Sequence, residues 1–182
     1  LDSNLDFSKL KQNILDVIKE EQIKLGYSRE RIRLFYPLLS LNRFLNKNLT
    51  QKSMQRALAE FAAKEKETLG DIEISNAGDR FCFSLPPKAS QYVHENTPSS
   101  GFLYDLIAAI AKPNATLEDV LSQFKKYSAC VHIEKAAHGE FDYLVYFKDE
   151  RPDAYRYCLS VHENHIRYHR FTAADYDDLH FE

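Results

Sequence analysis

Four side chains near the C-terminal end of the chain, Cys158, His162, His165 and His169, are of the types that ligate transition metals. Their spacing argues against one shared ion. A two-residue turn at Glu163 and Asn164 would set His162 against His165 and Cys158 against His169, on the side of the ribbon that also carries Ser160 and Arg167. At about 3.3 Å per residue the two pairs would stand roughly 13 Å apart, whereas zinc holds its ligands at about 2.0–2.3 Å. Each pair supplies two ligands and no third, so the expectation is the polar face of a sheet, with no metal and no other cofactor. The alternative is a metal-binding protein or hydrolase that uses this histidine hairpin, or a pH-responsive site. The run His162-Glu163-Asn164-His165 is one residue short of a zincin helix.

The five glycines, at 26, 70, 78, 101 and 139, exclude further chemistries, because no two lie closer than eight positions. A Walker loop needs glycines about five apart, and a dinucleotide fingerprint needs them about two and three apart, so that backbone N–H groups can approach phosphate. The nucleophile elbow and the kinase glycine loop fail by the same count. Local spacing brings together no nucleophile, base and orienting group, and the chain is expected not to be an enzyme.

A different chemistry belongs to the block from Lys24 to Lys66, with ten Lys or Arg against three acidic residues, a net of +7 in a chain whose total is −3. Such a block suits phosphate. Within it Lys52, Gln55 and Arg56, next to Gln51 and Ser53, are types that hydrogen-bond to base edges or phosphates. Arg43, Lys47 and, beyond the block, Arg80 would support them. The partner this implies is double-stranded DNA. The competing reading is a solvated helix face on a protein-interaction module or homodimer that binds no nucleic acid.

The elements that must position these residues are legible from periodicity. Ile14, Val17, Ile18 and Leu25 follow helical spacing from Leu10 onward, and Gly26 is placed to end that helix. Arg31 to Tyr36 alternates polar and apolar before Pro37 stops it, which predicts a short strand, and a second helix follows over about Leu38 to Asn46. Thr50 caps a third helix, with Leu49 as a staple on Met54 and a buried stripe of Met54, Ala57, Leu58, Phe61 and Ala62. After Gly70 the period becomes two, with Ile72 and Ile74, then Phe81, Phe83 and Leu85, about turn residues 76–79. Over residues 8–86 this order of helix, strand, helix, helix, strand, strand resembles the winged helix-turn-helix fold. That resemblance implies a third helix in the DNA major groove and a hairpin beside it. Arg80 is the only basic residue near the hairpin tip, so minor-groove contact should be slight.

The stretch from Pro86 to Gly101 connects two halves and has room for a short helix at residues 89–95. Helices are predicted over Phe102 to Ala111 and Leu117 to Tyr127, the second capped by Thr116. Antiparallel strands follow near residues 130–135, 141–148, 154–161 and 165–171. In the last hairpin Tyr157, Leu159, Val161, Ile166 and Tyr168 should face the core. Tyrosines 143, 146, 155, 157 and 168, with Arg156, Arg167 and Arg170 nearby, could stack on a base or ligand, or serve simply as good strand residues. The fold class is α+β: a winged-helix-like unit over residues 1–98, then a unit over 99–182 of helices and a four-stranded antiparallel meander. The second unit would act in dimerisation or ligand sensing.

With 44% hydrophobic and 28% charged residues the chain reads as a globular protein with a real core. Its longest apolar run, Leu106 to Ala111, is far short of the roughly 20 residues of a membrane helix. The N-terminus has no signal-peptide pattern, and three cysteines without a C-x-x-C pair suit a reducing compartment, so a cytoplasmic location is expected with no membrane partner. Residues Ile14 to Gln22, followed by Arg33-Leu34-Phe35-Tyr36-Pro37-Leu38, resemble the opening of the domain-of-unknown-function family DUF3877. That resemblance implies a bacterial cytoplasmic protein and brings no catalytic residues with it. The functional expectation is a non-enzymatic nucleic-acid-binding regulator.

Overall fold

The helix α1 (Ser8–Leu25) buries Leu10, Ile14 and Ile18 on one stripe, and Gly26 follows it at a φ of 87°, a value that favours glycine. Leu25 was expected on that stripe but is 77% exposed: with Lys24 and Gly26 exposed as well, the last turn of α1 lies beyond the core. The computed structural model describes residues 4–136 and 139–180 and divides the chain into two compact units, Leu1–Thr97 and Pro98–Glu182.

The first unit continues with β1 (Ile32–Pro37), α2 (Leu38–Leu45), α3 (Gln51–Lys64), α4 (Lys66–Leu69), β2 (Glu73–Ala77), β3 (Arg80–Leu85) and α5 (Pro87–Asn96). Its strands form an antiparallel sheet in the order β1-β3-β2. The turn between β2 and β3 is Gly78 and Asp79 alone, with Ala77 paired to Arg80 across it. A two-residue turn is closed by a hydrogen-bonded pair, so Arg80, Cys82 and Ser84 direct their main-chain groups to β2, while Phe81, Phe83 and Leu85 direct theirs to β1. The partners of the latter three on β1 are Tyr36, Leu34 and Ile32. The main-chain groups of Arg33 and Phe35 therefore point away from the sheet, at its free edge. The side chains of Phe81 and Phe83 pack with Phe61, Met54, Leu58, Leu10 and Ile14 in the core, where the Tyr36 hydroxyl donates to Asn13 Oδ1 at 2.7 Å. Gly70 has a φ of 81°, and a Cβ there would lie 2.7 Å from Pro86 Cγ, so conformation and space both favour glycine.

The second unit holds α6 (Phe102–Ala111), α7 (Leu117–Tyr127), the strands β4 (Val131–Lys135), β5 (Tyr143–Phe147), β6 (Arg156–Val161) and β7 (Ile166–Phe171), and α8 (Ala173–His180). The strands form an antiparallel meander in sequence order. Thr116 and Asp119 make a capping box at the start of α7, each side chain accepting from the other's backbone N–H. The core is aromatic: the Phe102 ring lies 4.9 Å from Phe124, 4.9 Å from Phe147 and 5.7 Å from Tyr157, between centroids. Tyr157 is fully buried and its hydroxyl donates to Asp153 at 2.7 Å; burial first, then the Asp153 charge, pushes its pKa well above the ordinary value. Val161, expected in the core, is 39% exposed, because it sits at the end of its strand. The other face of this sheet is covered too, by α8, which sets Tyr176 against Leu144 and Cys158.

Two outcomes follow from this packing. Phe124→Ala should destabilise the second unit by about 3–5 kcal/mol, through lost burial and the cavity left behind, measurable by denaturant unfolding monitored by tyrosine fluorescence. Between α6 and α7, Asp105 accepts from the Tyr127 hydroxyl at 2.5 Å and from Lys126 Nζ at 2.9 Å, and these bonds, Tyr127 first, hold its carboxyl below the usual range. The stability this ionised carboxylate contributes is present above the ordinary carboxylate pKa and is lost as pH falls through the lowered value. Tyr127→Phe should therefore raise the Asp105 pKa and move that loss to higher pH, as an NMR titration of the carboxyl would record.

Candidate nucleic-acid interface

The start of α3 is built by its cap: Thr50 Oγ1 accepts from the Ser53 N–H at 3.2 Å, and Leu49 packs on the core just before it. Met54, Ala57, Leu58 and Phe61 anchor the inner face. At about 100° per residue this turns Lys52 and Arg56 directly outward, with Ala59 and Ala63 continuing the same line and Gln55 on its flank. Lys52, Gln55 and Arg56 are all exposed, and none has a hydrogen-bond or ion-pair partner among the described residues. Gln51 is not available in the same way: its Nε2 donates to the Gly78 carbonyl at 3.1 Å and ties the start of α3 to the β2–β3 turn. Arg80, exposed, follows that turn.

The remaining predicted residues lie differently. Arg43 and Lys47 are half-buried at the end of α2, and each has a partner within the protein. Much of the basic block is neutralised locally: Lys64 pairs with Glu60 at 3.4 Å, Lys66 with Asp71 at 3.6 Å and Lys24 with Glu20 at 3.9 Å. Arg31 Nη1 donates to both oxygens of Ser84, at 3.1 and 3.3 Å. The uncompensated charge of α3 is thus concentrated in its first two turns, where the helix dipole adds to it.

The histidine hairpin has the expected register, Cys158 opposite His169 and the His162 N–H donating to the His165 carbonyl at 2.9 Å. The two turn imidazoles stack, 4.5 Å between centroids and 14° apart in plane. The face is not wholly polar, however, since α8 buries Cys158, and burial pushes its thiol up to about 11. Among the described residues no three His, Cys, Asp or Glu side chains stand close enough to hold a metal ion. The arginine and tyrosine side chains of this unit stack on one another, Arg156 over Tyr146 at 3.8 Å and Arg170 over Tyr155 at 4.3 Å.

Two features were missed in the sequence. The role of Gln51 has no local signal, because its partner lies in a turn 27 residues on. The α8 helix does have one: Thr172 and Asp175 have capping-box spacing, and Thr172 Oγ1 accepts from the Asp175 N–H at 3.1 Å.

Fold and surface together describe an α+β protein of two units whose first presents an open cationic helix face beside a hairpin. The family model described as "Domain of unknown function, E. rectale Gene description (DUF3877)" matches residues 7–180, and the chain belongs to that family. No curated protein and no solved structure matches it. Among the described residues no helix is long and apolar enough to cross a membrane.

The burial of the three cysteines sets an order of reactivity. With an aromatic disulfide reagent exposed Cys130 should react first, half-buried Cys82 more slowly, and Cys158 only on unfolding. Truncation before Ala173 should bring Cys158 into the native-state reaction.

Proposed function

We propose that the first unit is a winged helix-turn-helix that binds double-stranded DNA through α3, and that the protein acts as a nucleic-acid-binding regulator. The observation that carries this reading is the outward face of α3, where Lys52, Gln55 and Arg56 stand exposed and, among the described residues, without side-chain partners, on a helix tied to the hairpin by Gln51. The succession α1, β1, α2, α3, β2, β3 and the sheet order β1-β3-β2 support it, since they leave α3 and the hairpin side by side. Lys52 and Arg56 suit phosphate and guanine, Gln55 suits adenine, and Arg80 adds a phosphate contact from the hairpin. Arg43 and Lys47, with partners of their own, would contribute mainly to the local field.

The test is binding of the purified protein to random duplex DNA across a salt series. Engagement of three phosphates by Lys52, Arg56 and Arg80 gives a slope of about −2.7 in log affinity against log salt, and Lys52→Ala with Arg56→Ala should reduce it to about −0.9. The absence of binding at low salt, or a slope untouched by the double variant, would overturn the assignment.

A further inference from the structure

We propose that the free edge of β1, with the groove between it and α1, is a docking site for an extended peptide that joins the sheet as a fourth strand. A cavity of about 460 Å³ lies there, with Val17 and Leu25 of α1 on one side and Ile32, Arg33 and Leu34 on the other. Neighbouring residues of a strand face opposite sides of a sheet, so a cavity lined by Arg33 together with Ile32 and Leu34 runs along the strand's edge and not over one of its faces. That edge is open: β1 pairs with β3 alone, and the two-residue turn leaves the N–H and C=O groups of Arg33 and Phe35 directed outward. Gln22 and Ser90 close another side of the groove, where Gln22 Nε2 donates to the Ser90 carbonyl at 2.9 Å.

The same residues define the occupant. On the inner side Ile32 and Leu34, with Val17 and the 77% exposed Leu25, ask for apolar side chains. On the outer side an added strand would meet exposed Arg33, next to the 53% exposed ring of Phe35, and Arg33 asks for an acidic residue there. The Glu21 and Glu30 side chains at the groove disfavour a uniformly acidic segment. The ligand is therefore an extended segment of a partner polypeptide that alternates apolar and acidic residues, held by main-chain pairing. A second folded copy is the weaker fit, because α1 lies beside β1 in each copy and the two helices would approach one another. The site is separate from α3 and does not rest on DNA binding.

The experiment uses the full chain and a fluorescein-labelled eight-residue peptide of alternating valine and glutamate, followed by fluorescence anisotropy. Saturable binding is expected, with Leu25→Glu and Arg33→Glu each weakening it by about tenfold or more. Both positions are exposed, so neither variant threatens the core. A valine–lysine peptide should bind the wild type about tenfold more weakly and recover on Arg33→Glu. Main-chain pairing is read by N-methylating alternate amides of the peptide, since a strand offers only every second amide to one neighbour. One methylation phase should abolish binding and the other should retain it. No binding, or equal effects of the two phases, overturns the proposal. So does a peptide-independent dimer that Arg33→Glu dissolves, which would assign the edge to a second copy.

Discussion

Each residue of a β-strand can turn its main-chain hydrogen-bonding groups to one neighbour only, and in the first unit that parity is set at the Gly78–Asp79 turn. Once Ala77 and Arg80 are paired across it, every second residue of β3 belongs to β2 and the others to β1. The parity carries the side chains with it: Phe81, Phe83 and Leu85 enter the core, and Arg80, Cys82 and Ser84 go to the other face. It also decides which groups of β1 are left unpaired at the edge. Gly78 has a φ of 71°, a conformation that L side chains adopt at a cost, so the whole arrangement leans on one permissive residue. The Gln51 bond to its carbonyl means that the same turn helps position α3.

The second unit rests on a different principle. Its sheet is covered on both faces, by α6 and α7 around Phe102 on one side and by α8 with Tyr176 on the other. The second cover changes the chemistry of the hairpin: a cysteine at a position that reads as polar becomes a buried thiol, while His162, His165 and His169 remain exposed around it. Two arginines likewise spend their stacking surfaces within the protein, Arg156 on Tyr146 and Arg170 on Tyr155.

Where periodicity and capping are local, the chain is readable. The helices at Phe102–Ala111 and Leu117–Tyr127 fall where apolar spacing and Thr116 place them, and Cys158 meets His169 because a two-residue turn admits that register. The α+β class and the antiparallel meander follow from such signals. What stayed hidden depends on contacts distant in sequence. Leu25 continues a helical stripe, and only the extent of the core decides that it is exposed. Arg43 and Lys47 look like free cations until the chain brings partners to them, while Lys52 and Arg56 look the same and have no partner among the described residues. Charge counted along the sequence does not distinguish these cases; pairing in space does.

The edge of β1 has one more consequence, for the protein's behaviour in a crowded solution. Unpaired strand edges recruit other edges, and proteins blunt them with charge, short length or a covering element. Here exposed Arg33 stands on the edge strand and α1 lies across the groove from it, so a sheet from another molecule would meet a charge and a helix as it approached β1. A helix beside the edge favours one narrow added strand over a broad sheet, and it leaves the strand's own hydrogen-bonding groups in place.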